Sequence, residues 1–249
     1  MTELRPILEV DGVGKAFGRV TVLKSGAFSV YPGRITVLMG RNGAGKSTLF
    51  RVAVGRVRAE WGRVAYKGEF VRRPSLARLA RRGLMYLPQD SGLTRLFSIH
   101  EQIQAVADTF RASDRVDDVS EALRLSNVLS RRPQDISGGE RRRAALALAL
   151  IRKPDCLLMD EPFAGIDPTD RELVARGLRS LRDDGTAVMI SGHDVPDLFE
   201  LAEEIIWVTA GTTHWLGTPE EAQHHEQFRR EYLGPRGDDL RFPRDVGDR

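Results

Sequence analysis

The feature that most constrains the fold is a glycine-rich stretch of nine residues that directly follows a run of apolar and β-branched residues. The stretch reads Gly40, Arg41, Asn42, Gly43, Ala44, Gly45, Lys46, Ser47 and Thr48. It matches the pattern G-x-x-x-x-G-K-[ST], which joins a strand to a helix. Glycines let backbone N–H groups turn inward where a Cβ would obstruct them. The pattern therefore predicts a phosphate-binding loop (P-loop) between a buried strand and a helix over residues 47–55.

A dinucleotide-binding turn is the competing interpretation of these glycines. It requires a third glycine in the pattern G-x-G-x-x-G, but lysine, serine and threonine follow Gly45. In a P-loop, Lys46 reaches the β- and γ-phosphates and the Ser47 hydroxyl is available to Mg²⁺. The helix that follows presents its positive N-terminal end to the anion. The sequence thus predicts a nucleoside triphosphate bound with Mg²⁺.

Apolar runs elsewhere in the chain indicate the sheet to which this loop belongs. Three of them predict parallel core strands with helices on both faces, at residues 34–39, 156–159 and 186–191. Alternating patterns predict an antiparallel layer ahead of this core, at residues 7–17, 22–30 and 63–71. We therefore expect an α/β fold: a P-loop NTPase core of the RecA-like type with a parallel sheet, an N-terminal antiparallel β layer and a small helical subdomain.

The remaining segments complete the predicted organisation. Apolar residues at helical spacing over residues 98–132 indicate a helical insertion in the core. Two strands at 204–210 and 212–217 and a closing helix at 219–232 follow. We expect one ATPase domain over residues 1–234, with a helical subdomain at about 90–135. Residues 235–249, rich in Gly, Pro and charge, predict a polar, flexible tail.

Composition excludes several classes of protein. The 38 Lys and Arg residues against 35 Asp and Glu leave a net charge of +3, which is weak support for a nucleic-acid partner. The longest uncharged apolar run, 144–151, is far shorter than the ~20 residues that cross a bilayer. A single cysteine, Cys156, excludes an internal disulfide and a multi-cysteine zinc site, and its apolar surroundings indicate core packing. We expect a cytoplasmic chain.

Two acidic residues, Asp160 and Glu161, end the apolar run at 156–159. An aspartate at this end of a strand holds Mg²⁺ in P-loop NTPases, so Asp160 is the candidate metal ligand. Glu161 is the candidate base for an attacking water. Acids at a strand end are often simply solvated, but an intact P-loop in the same chain favours the catalytic interpretation.

The segment at residues 136–140, Ile-Ser-Gly-Gly-Glu, resembles the L-S-G-G-Q signature of the ABC ATPase family and precedes Asp160 as it does there. Ser137 and the N–H groups of Gly138 and Gly139 open a predicted helix that runs to about residue 152, whose positive end favours an anion. The resemblance implies that this signature faces the γ-phosphate of an ATP held by a second subunit. Two chains are then needed to complete each site.

Further landmarks of the ABC family occur in the expected order. Gln89 resembles the glutamine that touches Mg²⁺ or the attacking water, and Asp167 matches the D-loop aspartate. His193 follows a predicted strand, where the family has its switch histidine, a donor to the γ-phosphate. Phe17 occupies the place of the aromatic residue that stacks on adenine; without the resemblance it would be interpreted as a core residue.

The resemblance implies a function as well as a fold. It implies an ATP-binding and ATP-hydrolysing subunit that dimerises around two Mg-ATP, with a second copy of itself or a paralogue. This pair would drive one or more transmembrane permease subunits and lie peripherally on the inner face of the membrane. The wording of the motifs is most similar to the ATPases of lipopolysaccharide export and branched-chain amino acid uptake. The Ser-Gly-His-Asp sequence at 191–194 departs from the Asp-His-Asn of that group.

Three alternatives stay open at this stage. An ABC ATPase that acts on nucleic acid or ribosomes would carry two cassettes, long coiled coils or zinc cysteines, and none is evident, so no nucleic-acid partner is expected. A P-loop kinase or GTPase would have no use for the signature. A regulatory module that binds ATP without turnover would not need Glu161 and His193. The three arginines at 141–143 are interpreted as a solvated helix face rather than a nucleic-acid patch.

Overall fold

The computed structural model describes residues 5–234 of the protein. The predicted tail at 235–249 lies outside the described residues. Ten strands form one sheet in the order β5-β4-β1-β2-β10-β9-β3-β8-β7-β6. They are β1 (Leu8–Phe17), β2 (Val20–Val30), β3 (Ile35–Met39), β4 (Trp61–Tyr66), β5 (Glu69–Phe70), β6 (Leu84–Leu87), β7 (Cys156–Met159), β8 (Ala187–Gly192), β9 (Glu204–Thr209) and β10 (Thr212–Gly217).

The sheet combines the two predicted parts. Strands β9, β3, β8, β7 and β6 are parallel, whereas β2, β1, β4 and β5 pair antiparallel. Strand β10 closes an antiparallel hairpin with β9 and meets β2 through Thr212 and Ser25. The α/β core and its N-terminal antiparallel layer are therefore confirmed.

The helices lie between these strands. They are α1 (Lys46–Ala53), α2 (Leu76–Arg81), α3 (Ile99–Phe110), α4 (Val116–Ala122), α5 (Gly138–Arg152), α6 (Pro168–Asp183), α7 (Val195–Leu201), α8 (Pro219–His224) and α9 (Glu226–Phe228). Between β6 and β7 the described chain contains helices and turns without strands. The extent of a helical subdomain, 90–135, stays a prediction. Among residues 5–234, no helix is both long enough and apolar enough to span a bilayer.

Several sequence expectations were wrong in detail. Strand β6 and helix α2 were not predicted. The run at 84–87 is as short as the run at 156–159, but Pro88 and Gln89 follow it rather than glycine or an acidic pair. The strand expected at 63–71 is two strands, since Lys67 and Gly68 form a turn with positive φ. The closing helix at 219–232 breaks at His225, which is extended and whose Nδ1 accepts a hydrogen bond from Phe228 N–H.

Two apolar clusters pack against opposite faces of the parallel strands. Along β3, Val37 points into the cluster beneath the long helices and Leu38 into the cluster under the N-terminal layer. Cys156 is fully buried in the second cluster, which confirms its predicted packing role. Burial of both strand faces explains why these runs are continuously apolar.

The arginines of α5 do not form the solvated face that the sequence suggested. Arg142 and Arg143 are 7% and 8% exposed. Arg142 donates to Pro88 O at 3.4 Å, and burial lowers the pKa of its guanidinium. Arg143 donates to Arg124 O at 2.7 Å, at the end of α4. The reason is that unpaired carbonyls at the ends of neighbouring elements need donors, and arginine supplies several from one side chain.

Candidate active site

The P-loop joins the end of β3 to α1 and depends on its glycines for packing as well as for conformation. Gly43 and Gly45 have φ of +82° and +109°, which other residues rarely adopt. A Cβ on Gly40 would lie 2.6 Å from Val208 O in β9. The loop is therefore held against the sheet, where Gly40 N–H also donates to Gly192 O at 3.3 Å.

Lys46 begins α1 and is 4% exposed. Its Nζ donates to Gly40 O at 2.8 Å and to Arg41 O at 3.3 Å. The same atom lies 3.3 Å from Glu161 Oε1. A buried ammonium with these partners is compensated, and it places a positive charge between the P-loop and the acidic strand end.

Asp160 and Glu161 lie at the carboxyl end of β7, beside the end of β8. The hydroxyl of Ser191 in β8 donates to Asp160 Oδ1 at 2.5 Å and accepts from Glu161 N–H at 3.1 Å. Asp160 is fully buried, and its Oδ2 has no hydrogen-bond partner in the described part of the chain. Ser191 was not singled out from the sequence, although a serine that ends an apolar strand was the available signal.

Glu161 is the point at which separate elements converge. Gln89 Nε2 donates to its Oε2 at 2.9 Å, and His193 Nδ1 lies 3.8 Å from its Oε1. Together with Lys46, these contacts bring the P-loop, the end of β6 and the end of β8 to one carboxylate. Glu161 has φ +49°, a conformation that non-glycine residues adopt rarely and that clusters at functional sites.

The donors around Asp160 are of the type that Mg²⁺ prefers. The unsatisfied Asp160 Oδ2 is a buried carboxylate oxygen, which is costly unless a ligand pairs with it. The half-buried Ser47 hydroxyl at the start of α1 and the Gln89 amide oxygen add hard oxygen donors. The residues present thus fit a Mg²⁺ ion.

Two side chains hold the loop that carries His193. Arg171, in the first turn of α6, donates from Nε to Ile166 O at 3.2 Å, and from Nη1 to Asp194 at 2.7 Å and to Asp197. Hydrogen bonding to Asp194 raises the pKa of Arg171. Tyr232 donates to His193 O at 3.2 Å, and burial raises its pKa to about 12, so it stays a neutral donor. No local sequence signal identified either contact, since both partners are distant in the chain.

The signature segment begins α5 with a reciprocal cap. Glu140 N–H donates to Ser137 Oγ at 3.1 Å, while Ser137 N–H donates to a Glu140 carboxylate oxygen at 2.7 Å. These bonds lower the pKa of Glu140. A glutamate at this position is therefore explained by helix capping.

The signature also packs against the D-loop. A Cβ on Gly138 would lie 3.8 Å from Gly165 O, and one on Gly139 would lie 1.6 Å from Asp170 Oδ2. Asp167 caps α6, its Oδ1 accepting from Asp170 N–H at 2.9 Å. In the described residues, no hydrogen bond or ion pair joins Ser137–Gly139 to the P-loop of the same chain. The structure therefore brings the signature and the D-loop together, and Gly165 of the D-loop lines a small cavity with Glu161 and His193.

A cavity of about 690 Å³ lies beside the P-loop. Its lining includes residues 41–44, the start of β2 and the turn between β9 and β10. Phe17, 50% exposed at the end of β1, lies outside this lining but pairs with Val20, which belongs to it. Lys15 Nζ lies 5.1 Å from the Phe17 ring centroid. The backbone of Phe17 is thus paired with a residue of the cavity lining, and a cation lies over its ring.

The comparison with protein families decides among the P-loop classes. A family model described as ABC transporter matches residues 23–164. This chain belongs to the ABC transporter family. It is an ATP-binding subunit of an ABC transporter and an ATP hydrolase. The kinase, GTPase and non-hydrolytic alternatives are thereby set aside.

Relatives of this ABC ATPase match over nearly its whole length. The lipopolysaccharide export ATP-binding protein LptB of Haemophilus influenzae is 33% identical over 234 residues, covering 92% of this chain and 97% of the relative. LptB of Escherichia coli K12 is 34% identical over 233 residues, covering 91% and 97%. The Fe(3+) import ATP-binding protein FbpC 2 of Rhodococcus jostii is 34% identical, covering 86% of this chain and 63% of the relative.

Solved structures support the fold. An ATP-binding subunit of an ABC transporter superposes with a TM-score of 0.78 at 23% identity, covering 94% of this chain and 97% of that one. A dimeric ATP-binding cassette in a post-hydrolysis state, bound to ADP and Pi, gives 0.74 at 22% identity, covering 84% and 98%. The α/β architecture of this ABC ATPase is therefore that of known cassettes.

Proposed function

We propose that two copies of this chain, or one copy and a paralogue, bind two Mg-ATP between them and drive a separate transmembrane permease. The observation that carries the proposal is the convergence of Lys46, Gln89 and His193 on Glu161, beside the buried Asp160. In this arrangement the P-loop of one subunit and the signature of the other hold each nucleotide. Within residues 5–234, no hydrogen bond or ion pair joins the signature to the P-loop of the same chain, which supports a site shared between subunits.

Each candidate residue then has a chemical task. Glu161 accepts a proton from the attacking water. Gln89, whose Nε2 lies 2.9 Å from the Glu161 carboxylate, orients this water. Lys46, the P-loop N–H groups and the partner's copy of Ser137–Gly139 stabilise charge on the γ-phosphate. His193 donates to that phosphate, and Phe17 stacks on the adenine. Asp167 lies at the subunit boundary.

The proposed metal site uses residues of this chain alone. Ser47, Gln89 and Asp160 would hold Mg²⁺, which when bound neutralises charge on the β- and γ-phosphates. Ser191 holds Asp160 by one oxygen, so that Oδ2 is oriented towards the site. This accounts for a fully buried carboxylate oxygen that lacks a protein donor.

The work of the subunit is conformational. Loss of the γ-phosphate removes the anion that two subunits share, so that ATP binding closes the pair and hydrolysis opens it. The permease is the partner that receives this motion, and through it the subunit lies peripherally on the inner face of the membrane. The presence of LptB among the relatives supports a transport partner rather than nucleic acid.

Replacing Lys46 tests the nucleotide site. Lys46→Ala should weaken ATP binding by at least about a hundredfold, since it removes the cation and leaves Glu161 facing the phosphates. Equilibrium titration with a fluorescent ATP analogue measures the affinity, and phosphate release measures turnover by the unmodified protein. Lys67→Ala removes an exposed lysine ion pair outside the site and serves as the matched control. An unchanged affinity in Lys46→Ala would refute the proposed cradle.

Replacing Arg171 tests the link between the D-loop and the switch histidine. Arg171→Ala should lower kcat roughly tenfold with little change in KM, because Arg171 positions the His193 loop without lining the cavity beside the P-loop. Arg176→Ala, on the same helix, removes an exposed ion pair with Glu172 at 3.4 Å and should change neither kcat nor KM. Steady-state ATPase kinetics distinguish the variants, and equal kcat values would show that this contact is only structural.

A further inference from the structure

The positive charge of the chain is concentrated in one segment. Residues 51–82 carry ten arginine or lysine side chains and two glutamates, a net charge of +8, whereas the whole chain carries +3. The rest of the chain is therefore net acidic. This segment runs from α1 through β4 and β5 to the end of α2, outside the proposed ATP site.

Most of these cations have no carboxylate partner. Arg63 pairs with Asp11, Lys67 with Asp155 and Arg82 with Glu69. Within the described residues, the other seven form no ion pair: Arg51, Arg56, Arg58, Arg72, Arg73, Arg78 and Arg81. Seven cations of this segment thus lack a counter-charge, and an excess of positive charge favours an anionic ligand.

Three of these arginines surround a cavity of about 510 Å³, which we call the arginine pocket. Arg58, Arg72 and Arg73 are exposed and lie on its rim. Its lining also includes Glu60 and Arg63, which pair with Lys15 and Asp11. The buried Val52 and Val64 supply apolar atoms to the same lining. The volume is within the range of ligand pockets, which combine an apolar lining with a few convergent polar groups.

Two aromatic side chains complete the arginine pocket. Trp61 is 51% exposed and Phe70 is 62% exposed, although both rings could pack inside a protein of this size. The indole of Trp61 lies over Gly14 of β1, and its Nε1 donates to Lys24 O of β2 at 3.3 Å, so the ring extends from the pocket lining across the neighbouring strands. Exposed tryptophan beside basic residues is characteristic of surfaces that meet the headgroup region of a bilayer.

We propose that the arginine pocket binds an anionic phospholipid of the membrane on which the transporter works. The phosphate of the lipid pairs with Arg58, Arg72 and Arg73, and the adjoining apolar atoms contact Trp61 and Phe70. One amphipathic anion then contacts both the arginines and the apolar lining of the pocket. A nucleic acid would also use arginine and aromatic rings, but the valine lining offers its phosphates and sugars nothing.

The test uses vesicles and the tryptophan that lines the pocket. Of the three tryptophans, Trp207 is 2% exposed and Trp215 is 68% exposed, so Trp215→Phe leaves Trp61 as the exposed reporter. This variant should co-sediment with phosphatidylglycerol vesicles at low salt and show a blue shift of emission. With phosphatidylcholine vesicles we expect neither co-sedimentation of the protein nor a blue shift of its emission. Each basic residue near an anionic surface changes the partition constant about fivefold, so adding Arg72→Gln and Arg73→Gln should lower it about 25-fold.

Matched variants separate the pocket from general charge. Arg111→Gln with Arg124→Gln removes two exposed charges elsewhere and should change the partition constant less than twofold. Arg58→Gln alone should lower it about fivefold and provides a second test should the double variant fold poorly. All variants should retain ATP hydrolysis, because none of these side chains lies in the proposed ATP site.

Several results would overturn the proposal. These are no binding to phosphatidylglycerol, equal losses in the two double variants, or unchanged Trp61 emission on binding. Inorganic phosphate that shifts the emission as strongly as vesicles would assign the pocket to a free anion. A single-stranded oligonucleotide that displaces the vesicles at lower concentration would assign it to nucleic acid.

Discussion

Glu161→Gln is expected to lower ATP turnover by roughly 100- to 10,000-fold while leaving ATP binding intact. Glutamine has nearly the same shape as glutamate but cannot accept the proton of the attacking water. Its amide still lies within reach of Gln89, which contacts the carboxylate at 2.9 Å in the native chain. Removing the negative charge also removes repulsion of the γ-phosphate, so nucleotide affinity should not fall.

A closed pair should therefore accumulate in this variant. Size-exclusion chromatography with Mg-ATP should show a dimer for Glu161→Gln, and a phosphate-release assay should show the loss of turnover. Glu172→Gln changes an exposed glutamate of α6 and serves as control. Retained hydrolysis without an ATP-dependent dimer would show that another group is the base.

Asp170→Ala should lower the free energy of unfolding by about 3–5 kcal/mol. Asp170 Oδ1 lies 2.6 Å from Arg143 Nε, and the two side chains are 11% and 9% exposed. Without Asp170, the guanidinium of Arg143 stays buried with carbonyl partners but no counter-charge. Breaking one member of a buried pair costs far more than breaking a surface pair.

Thermal unfolding provides the measurement for Asp170→Ala. Since 1 kcal/mol corresponds to roughly 2–4 °C for a chain of this size, the midpoint should fall by about 10 °C. Asp184→Ala breaks an exposed pair with Lys153 at 2.8 Å and should lower it by no more than about 2 °C. Equal midpoints for the two variants would show that the Arg143 contact does not stabilise α5 against α6.

The contact between Asp170 and Arg143 also affects how mutations of the signature glycines are interpreted. A side chain on Gly139 would occupy the position of Asp170, so this glycine is needed for the packing of α5 on α6. A loss of activity in Gly139→Ala therefore cannot be assigned to phosphate binding unless its stability is measured as well. Gly138, where a Cβ would make only an ordinary contact with Gly165 O at 3.8 Å, is the cleaner position at which to test contact with a nucleotide.

The amino-acid sequence was sufficient to identify the elements whose chemistry depends on neighbouring residues. The P-loop, the Asp160-Glu161 pair and the Ser137-Gly138-Gly139 signature are each contiguous, because a tight turn, a strand end and a helix start are local structures. Continuous apolar runs likewise predicted a parallel core, since strands buried on both faces need no alternation. Strand β6 was missed because its four residues carry little pattern and no acidic pair follows them, as Asp160 and Glu161 follow the equally short β7.

Which of these elements contact each other depends on the packing of the whole chain. Parallel strands joined by crossovers bring their carboxyl ends to one edge of the sheet, which places Gln89 and His193 on Glu161 and Ser191 on Asp160. The same crossovers bury Arg142 and Arg143 between helices and link Arg171 to Asp194. These contacts join residues that are far apart along the chain. No local sequence pattern indicates these contacts, because they result from how the elements pack.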